Sequence, residues 1–94
     1  MYWYKIETNK HKDGTYHYIG ASPLKPDELV ASLQRGEYLQ LTNLLYVDEG
    51  KYREWTEWDS TLLPSVRINP SCVLTVMQLH GDPRTLAPRD TAQH

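Results

Sequence analysis

The stretch Glu37–Val47, Glu-Tyr-Leu-Gln-Leu-Thr-Asn-Leu-Leu-Tyr-Val, constrains the fold more than any other part of the chain. Leu39, Leu41, Leu45 and Val47 fill one parity, interrupted by Asn43, and Tyr38, Gln40, Thr42, Leu44 and Tyr46 fill the other. Side chains of a strand alternate between faces, so this pattern predicts a strand with its leucines on a core. Toward Leu44–Val47 the opposite parity also turns apolar and aromatic. That end is expected to be covered on both sides, with the first half receiving a helix.

The flanking segments supply what such a strand needs. Tyr2–Thr8 alternates and is rich in strand formers. Asp13-Gly14 is a hairpin signal, because glycine accepts positive φ, and Thr15–Ala21 reads as the return strand. With Asp13-Gly14 as a two-residue loop, Ile6 and Thr8 lie near Ala21 and Ile19, and Tyr16 and Tyr18 face the other way with Lys5 and Glu7. A loop one residue longer reverses that assignment. Pro26 fits the first helical position, and Asp27 and Glu28 suit the positive end of the helix dipole. Leu29, Val30 and Leu33 form an apolar stripe, and Arg35-Gly36 marks a C-cap. A helix over Pro26–Arg35 is too short to persist alone and must dock on the sheet.

After the turn Asp48-Glu49-Gly50, residues 51–59 are ambiguous between strand and helix and read as an extended arm or irregular lobe. Val66–Ile68 and Cys72–Leu79 read as strands broken by Asn69-Pro70-Ser71, since proline has no ladder donor. The reading is therefore α+β: a small twisted antiparallel sheet or open small barrel, in the order β-β-α-β-(arm)-β-β, with one short helix packed on it. Residues 1–81 form the single domain, 48–64 its aromatic and acidic arm, and 82–94 a flexible tail. Val66-Arg67-Ile68-Asn69-Pro70, following a helix and a strand, resembles part of Sm-like and SH3-like small barrels, a likeness too short to imply a function.

Composition removes several function classes. Ten Lys and Arg against twelve Asp and Glu give a net charge of −2, which supplies no overall attraction to a polyanion. The single cysteine, Cys72, lies in an apolar run and reads as a small buried hydrophobe. His11, His17, His80 and His94 are scattered without ligand spacing, so neither metal nor cofactor is expected. No phosphate-cradling glycine loop, nucleophile elbow or zinc-protease motif is present, and a domain of 94 residues leaves little room for a deep pocket. A non-enzyme is expected. The start Met-Tyr-Trp-Tyr-Lys-Ile-Glu lacks a signal-peptide pattern, and no apolar run is long enough to span a membrane. The expectation is cytoplasmic, with no membrane partner.

Seven Tyr, three Trp and no Phe favour half-wet aromatic positions, the kind found at interfaces. Tyr46, Tyr52, Trp55 and Trp58 crowd the arm among Asp48, Glu49, Glu54, Glu57 and Asp59. Aromatic anchors supply desolvated area and acids steer a partner with a basic surface. The leading expectation is thus a small protein-binding module, such as an adaptor, inhibitor or regulatory subunit, with Glu54, Glu57 and Asp59 orienting the partner. The same rings also suit a satellite core. The alternative is a nucleic-acid-binding small barrel with Lys10 and Lys12 on phosphates and Tyr16 and Tyr18 stacking on bases. Nucleic acid is the less favoured partner because Asp13 adjoins the tip and the chain is net acidic. Self-association through opposite charges or free strand edges is a further expectation.

Overall fold

The computed structural model describes residues 1–9, 14–61 and 64–85, apart from the side chain of Trp58. Six strands, β1 (Tyr2–Asn9), β2 (Thr15–Ser22), β3 (Leu39–Asp48), β4 (Lys51–Glu54), β5 (Ser65–Ile68) and β6 (Val73–Gln78), form one antiparallel sheet. Its order is β4-β3-β2-β1-β6, with β5 also on β3. Helix α1 spans Pro26–Gln34 and the four-residue α2 spans Trp55–Trp58. Residues 51–58, ambiguous between strand and helix in the sequence, are both in turn: an extended strand followed by a single helical turn. At the start of that turn the Glu57 carboxylate accepts the Glu54 N–H at 2.7 Å.

The hairpin register differs from the two-residue-loop expectation. The strands close at Asn9–Thr15, pairing Ile6 with Tyr18, Thr8 with Tyr16 and Lys5 with Ile19. Five positions, 10–14, separate the paired strands instead of the two that Asp13-Gly14 alone would supply, and residues 10–13 lie outside the described residues. The odd offset exchanges the faces. Tyr16 and Tyr18 share a face with Tyr4, Ile6 and Thr8, while Ile19 and Ala21 share the other with Trp3 and Lys5.

Two cores lie on the two faces. The larger contains Tyr4, Ile6, Leu29, Leu39, Leu41, Leu44 and Ile68. The smaller contains Trp3, Ile19, Ala21 and Leu45, with Tyr52 and Leu79 against it. Helix α1 covers the larger core with Leu29 and Leu33, while Val30, expected in the stripe, is 41% exposed. The helix ends as predicted near Arg35: the Gly36 and Glu37 N–H groups donate to Leu33 and Ser32 carbonyls, with Gly36 at φ 80. The Tyr4 hydroxyl donates to the Leu24 carbonyl at 2.6 Å, tying the approach to α1 to β1.

Strand β3 serves both cores because its alternation breaks once. Ile19 pairs with Leu45 and Ala21 with Thr42, so β3 takes three steps where β2 takes two. The extra residue is a β-bulge, and Asn43 adopts φ 53 within it. The Leu44 N–H, released from the ladder, donates to the Pro64 carbonyl. Beyond the bulge, Leu44 joins Leu39 and Leu41 on the larger core, and Leu45 alone turns to the smaller. Asn43, which interrupts the apolar parity in the sequence, marks the exchange. Gly20 sits opposite the bulge, where a Cβ would lie 2.9 Å from the Thr42 carbonyl oxygen. The outer side of β3 is shared end to end: Leu39–Thr42 pair with β5 and Leu45–Asp48 with β4.

Candidate functional site

The bulge has a consequence at the far end of β2 and β3. Their pairing stops at Ile19–Leu45. Strand β2 continues through Tyr18, His17 and Tyr16 on the support of β1, and β3 continues through Tyr46 and Val47 on the support of β4. A cavity of about 250 Å³ lies at this fork, lined by Lys5, Tyr16, His17, Ile19, Leu45, Tyr46, Val47 and Trp55. Tyr16 is 38% and Val47 57% exposed. The aromatic residues Tyr46 and Trp55, expected as arm anchors, meet here with ring centroids 5.0 Å apart at 48°. Tyr16, assigned from sequence to the rival nucleic-acid reading, lines the same cavity.

The other expected anchors have different placements. Tyr52 packs on the smaller core, and Trp55 also touches the larger one, so both have structural work. Trp58 ends α2; its side chain lies outside the described residues, as do Lys10 and Lys12. Tyr18 packs on the larger core and meets Tyr16 edge-to-face at 4.8 Å. Burial, then Tyr16 and Cys72, raise its pKa. An edge-on ring backed by a core offers little face for a base.

The arm's acids are largely tied down. Asp48 lies 3.3 Å from Arg53 Nε, and Glu57 lies 3.9 Å from Arg53 Nη1. Arg53 Nε makes no hydrogen bond, so its approach to Asp48 is an ion pair without donor alignment. Glu54 lies 3.0 Å from Arg84 Nη1. Asp59 accepts the Thr61 hydroxyl at 2.6 Å and its N–H at 3.0 Å, bonds that lower its pKa. Glu49 has no cationic neighbour among the described residues. None of these acids lines the cavity at the fork, whose charged or basic lining residues are Lys5 and His17.

Arg84 is the partner of the arm that sequence reasoning missed. It belongs to a 3-10 turn over Pro83–Thr85, in the segment expected to begin the tail. Pro83 is fully buried, and Arg84 reaches Glu54 on β4, Asp82 at 2.6 Å and the Trp3 ring at 5.5 Å. The Asp82 carboxylate, bonded by Arg84, has a lowered pKa. Periodicity carries no trace of such a contact. The sequence signal present was Asp82-Pro83, a turn pair.

Among the described residues, no three His, Cys, Asp or Glu side chains are grouped to hold a metal ion. No helix among them is long and apolar enough to cross a membrane. No protein-family model, curated protein or solved structure matches the chain.

Proposed function

We propose that this chain is a small non-catalytic protein-binding module, acting as an adaptor, inhibitor or regulatory subunit, and that its contact surface is the fork between β2 and β3. The observation that carries the reading is the fork itself. Two supported strands part beyond Ile19–Leu45, and Tyr16, Tyr46, Val47 and Trp55 line the opening. Aromatic side chains held by a rigid sheet lose little entropy on burial, which suits them as anchors. The acids of the neighbouring arm, Asp48, Glu49, Glu54, Glu57 and Asp59, suit a partner with a basic surface.

The test is affinity capture with purified wild-type protein and with Val47→Lys and Tyr16→Ser as control baits. Both positions are exposed, so the fold is expected to survive, which circular dichroism checks. A captured protein is then purified and titrated against each bait. Loss of at least about tenfold in affinity for both variants supports the fork. Unchanged affinity refutes it. A parallel titration with single-stranded RNA and DNA at low salt addresses the nucleic-acid alternative, which requires a steep salt dependence.

A further inference from the structure

Strand β6 lies at one edge of the sheet and pairs only with β1 among the described residues. Edge strands usually carry charge or proline that discourages pairing with another chain. From Ile68 to Leu79 this chain has no charged residue. Leu74 and Met77, both on β6, are 54% and 40% exposed. The opposite edge differs: β4 carries Lys51, Arg53 and Glu54, and β5 carries Arg67.

The direction of the free backbone groups follows from one bond. The Leu79 N–H donates to the Trp3 carbonyl at 2.8 Å, so Leu79 faces β1. Successive residues of a strand present their peptide groups to opposite sides. The N–H and C=O of Val76 and Gln78 therefore point away from β1, toward the open side. The bulge, where Thr75 pairs with Glu7 and Val73 with Thr8, lies beyond this run and leaves it regular.

We propose that β6 is the seat of a two-fold dimer, in which two copies of this chain pair β6 with β6 antiparallel about Val76. A two-fold axis normal to the sheet keeps the faces in register and makes residue numbers on paired positions sum to an even value. Val76 then exchanges both backbone hydrogen bonds with its counterpart. Thr75 and Met77 stand opposite the second copy's Met77 and Thr75. The bulge selects this centre over Thr75, because an axis at Thr75 would require the bulged Leu74 to exchange backbone hydrogen bonds with the second copy's Val76; the charges along the rows agree. Met77 is beside Lys5 and Thr75 beside Glu7 on the same face. With the axis at Val76, the Lys5 of each copy shares a row with the Glu7 of the other. With the axis at Thr75, the two Glu7 carboxylates share a row. Pairing β6 with the β4 or β5 edge would instead set an uncharged strand against a charged one and leave both ends open to further addition.

Sedimentation equilibrium on the full chain tests this. The expected result is a reversible monomer–dimer equilibrium, with slower hydrogen exchange at the Val76 and Gln78 amides as concentration rises. The double variant Thr75→Lys, Met77→Lys places lysines opposite lysines at two exposed pairs and is expected to weaken the dimer roughly tenfold or more. Mixing it with Thr75→Glu, Met77→Glu is expected to restore association as a heterodimer. A chain that stays monomeric at all concentrations overturns the proposal. So does a dimer that the lysines leave undiminished, since it must use another surface.

Discussion

Replacing Gly20 by alanine tests the bulge on which the sheet's two-faced arrangement depends. Gly20 is not in the left-handed region, so alanine meets no backbone penalty there. The cost comes from contact alone. The added Cβ would lie 2.9 Å from the Thr42 carbonyl oxygen, 3.1 Å from Leu41 Cβ and 3.2 Å from Leu44 Cδ2. The closest of these is backbone, held by the pairing of Thr42 with Ala21 and Ser65, and cannot swing aside as a side-chain tip would. Overpacking of this kind costs about 1–3 kcal/mol, and the better strand propensity of alanine returns only about 0.5 kcal/mol. A domain of this length loses roughly 4–8 °C in Tm per kcal/mol, so the variant is expected to melt about 2–20 °C below wild type. Thermal circular dichroism and urea titration measure it. Gly81→Ala is the control, since a Cβ there meets nothing within 4 Å at ordinary φ; it is expected to be neutral or slightly stabilising. If Gly20→Ala melts with or above wild type, the close approach of β2 to the bulge is not a constraint and the reasoning fails.

Asn43, at φ 53, tolerates glycine with little change, whereas Asn43→Val is expected to cost about 1–3 kcal/mol in urea unfolding. Tyr4→Phe removes the hydroxyl bond to the Leu24 carbonyl and is expected to cost about 1 kcal/mol, read in the same titration. Asp82 has a folded pKa below its unfolded value, because Arg84 bonds the ionised form. Its contribution to stability is complete above the unfolded value of about 3.9 and is lost as pH falls through the folded one. Asp82→Asn is therefore expected to flatten the acid limb of the stability–pH curve, followed by tryptophan fluorescence. Arg84→Ala is expected to cost about 1 kcal/mol and to shift Trp3 emission, because it removes the cation over that ring along with the ion pair to Glu54.

Local signals carried the elements well. Pro26, the first-turn acids and Gly36 placed α1 within a residue, because caps act over one turn. The leucine parity placed β3 within two residues at its start and one at its end. The pairing of those elements was less legible. Asp13-Gly14 invited a tight loop, yet register answers to which residues the core accepts, and Tyr4 and Ile6 take Gly20 and Tyr18 as partners. Asn43 was visible as an interruption, but whether a polar residue ends a pattern or bulges it depends on the neighbouring strand. Of the candidate site, Tyr46 and Trp55 were readable as neighbours because they sit on adjoining strand and turn. Tyr16 reaches them only because β2 and β3 part, and Arg84 reaches Glu54 only through tertiary folding.

The pairing of β1 with β6 joins the first strand of the described residues to the last. Ile6 lies opposite Val76, so β1 is not fully paired until every element between β1 and β6 has been made. During synthesis the β1–β2 hairpin emerges before β6 and holds its outer edge unpaired while the helix, β3 and the arm follow. Such long-range closure slows folding, and the waiting edge is open to intermolecular pairing. Chains cut short before β6 would keep that β1 edge open, with Ile6 lacking Val76 beside it, and an open edge of this kind invites intermolecular pairing.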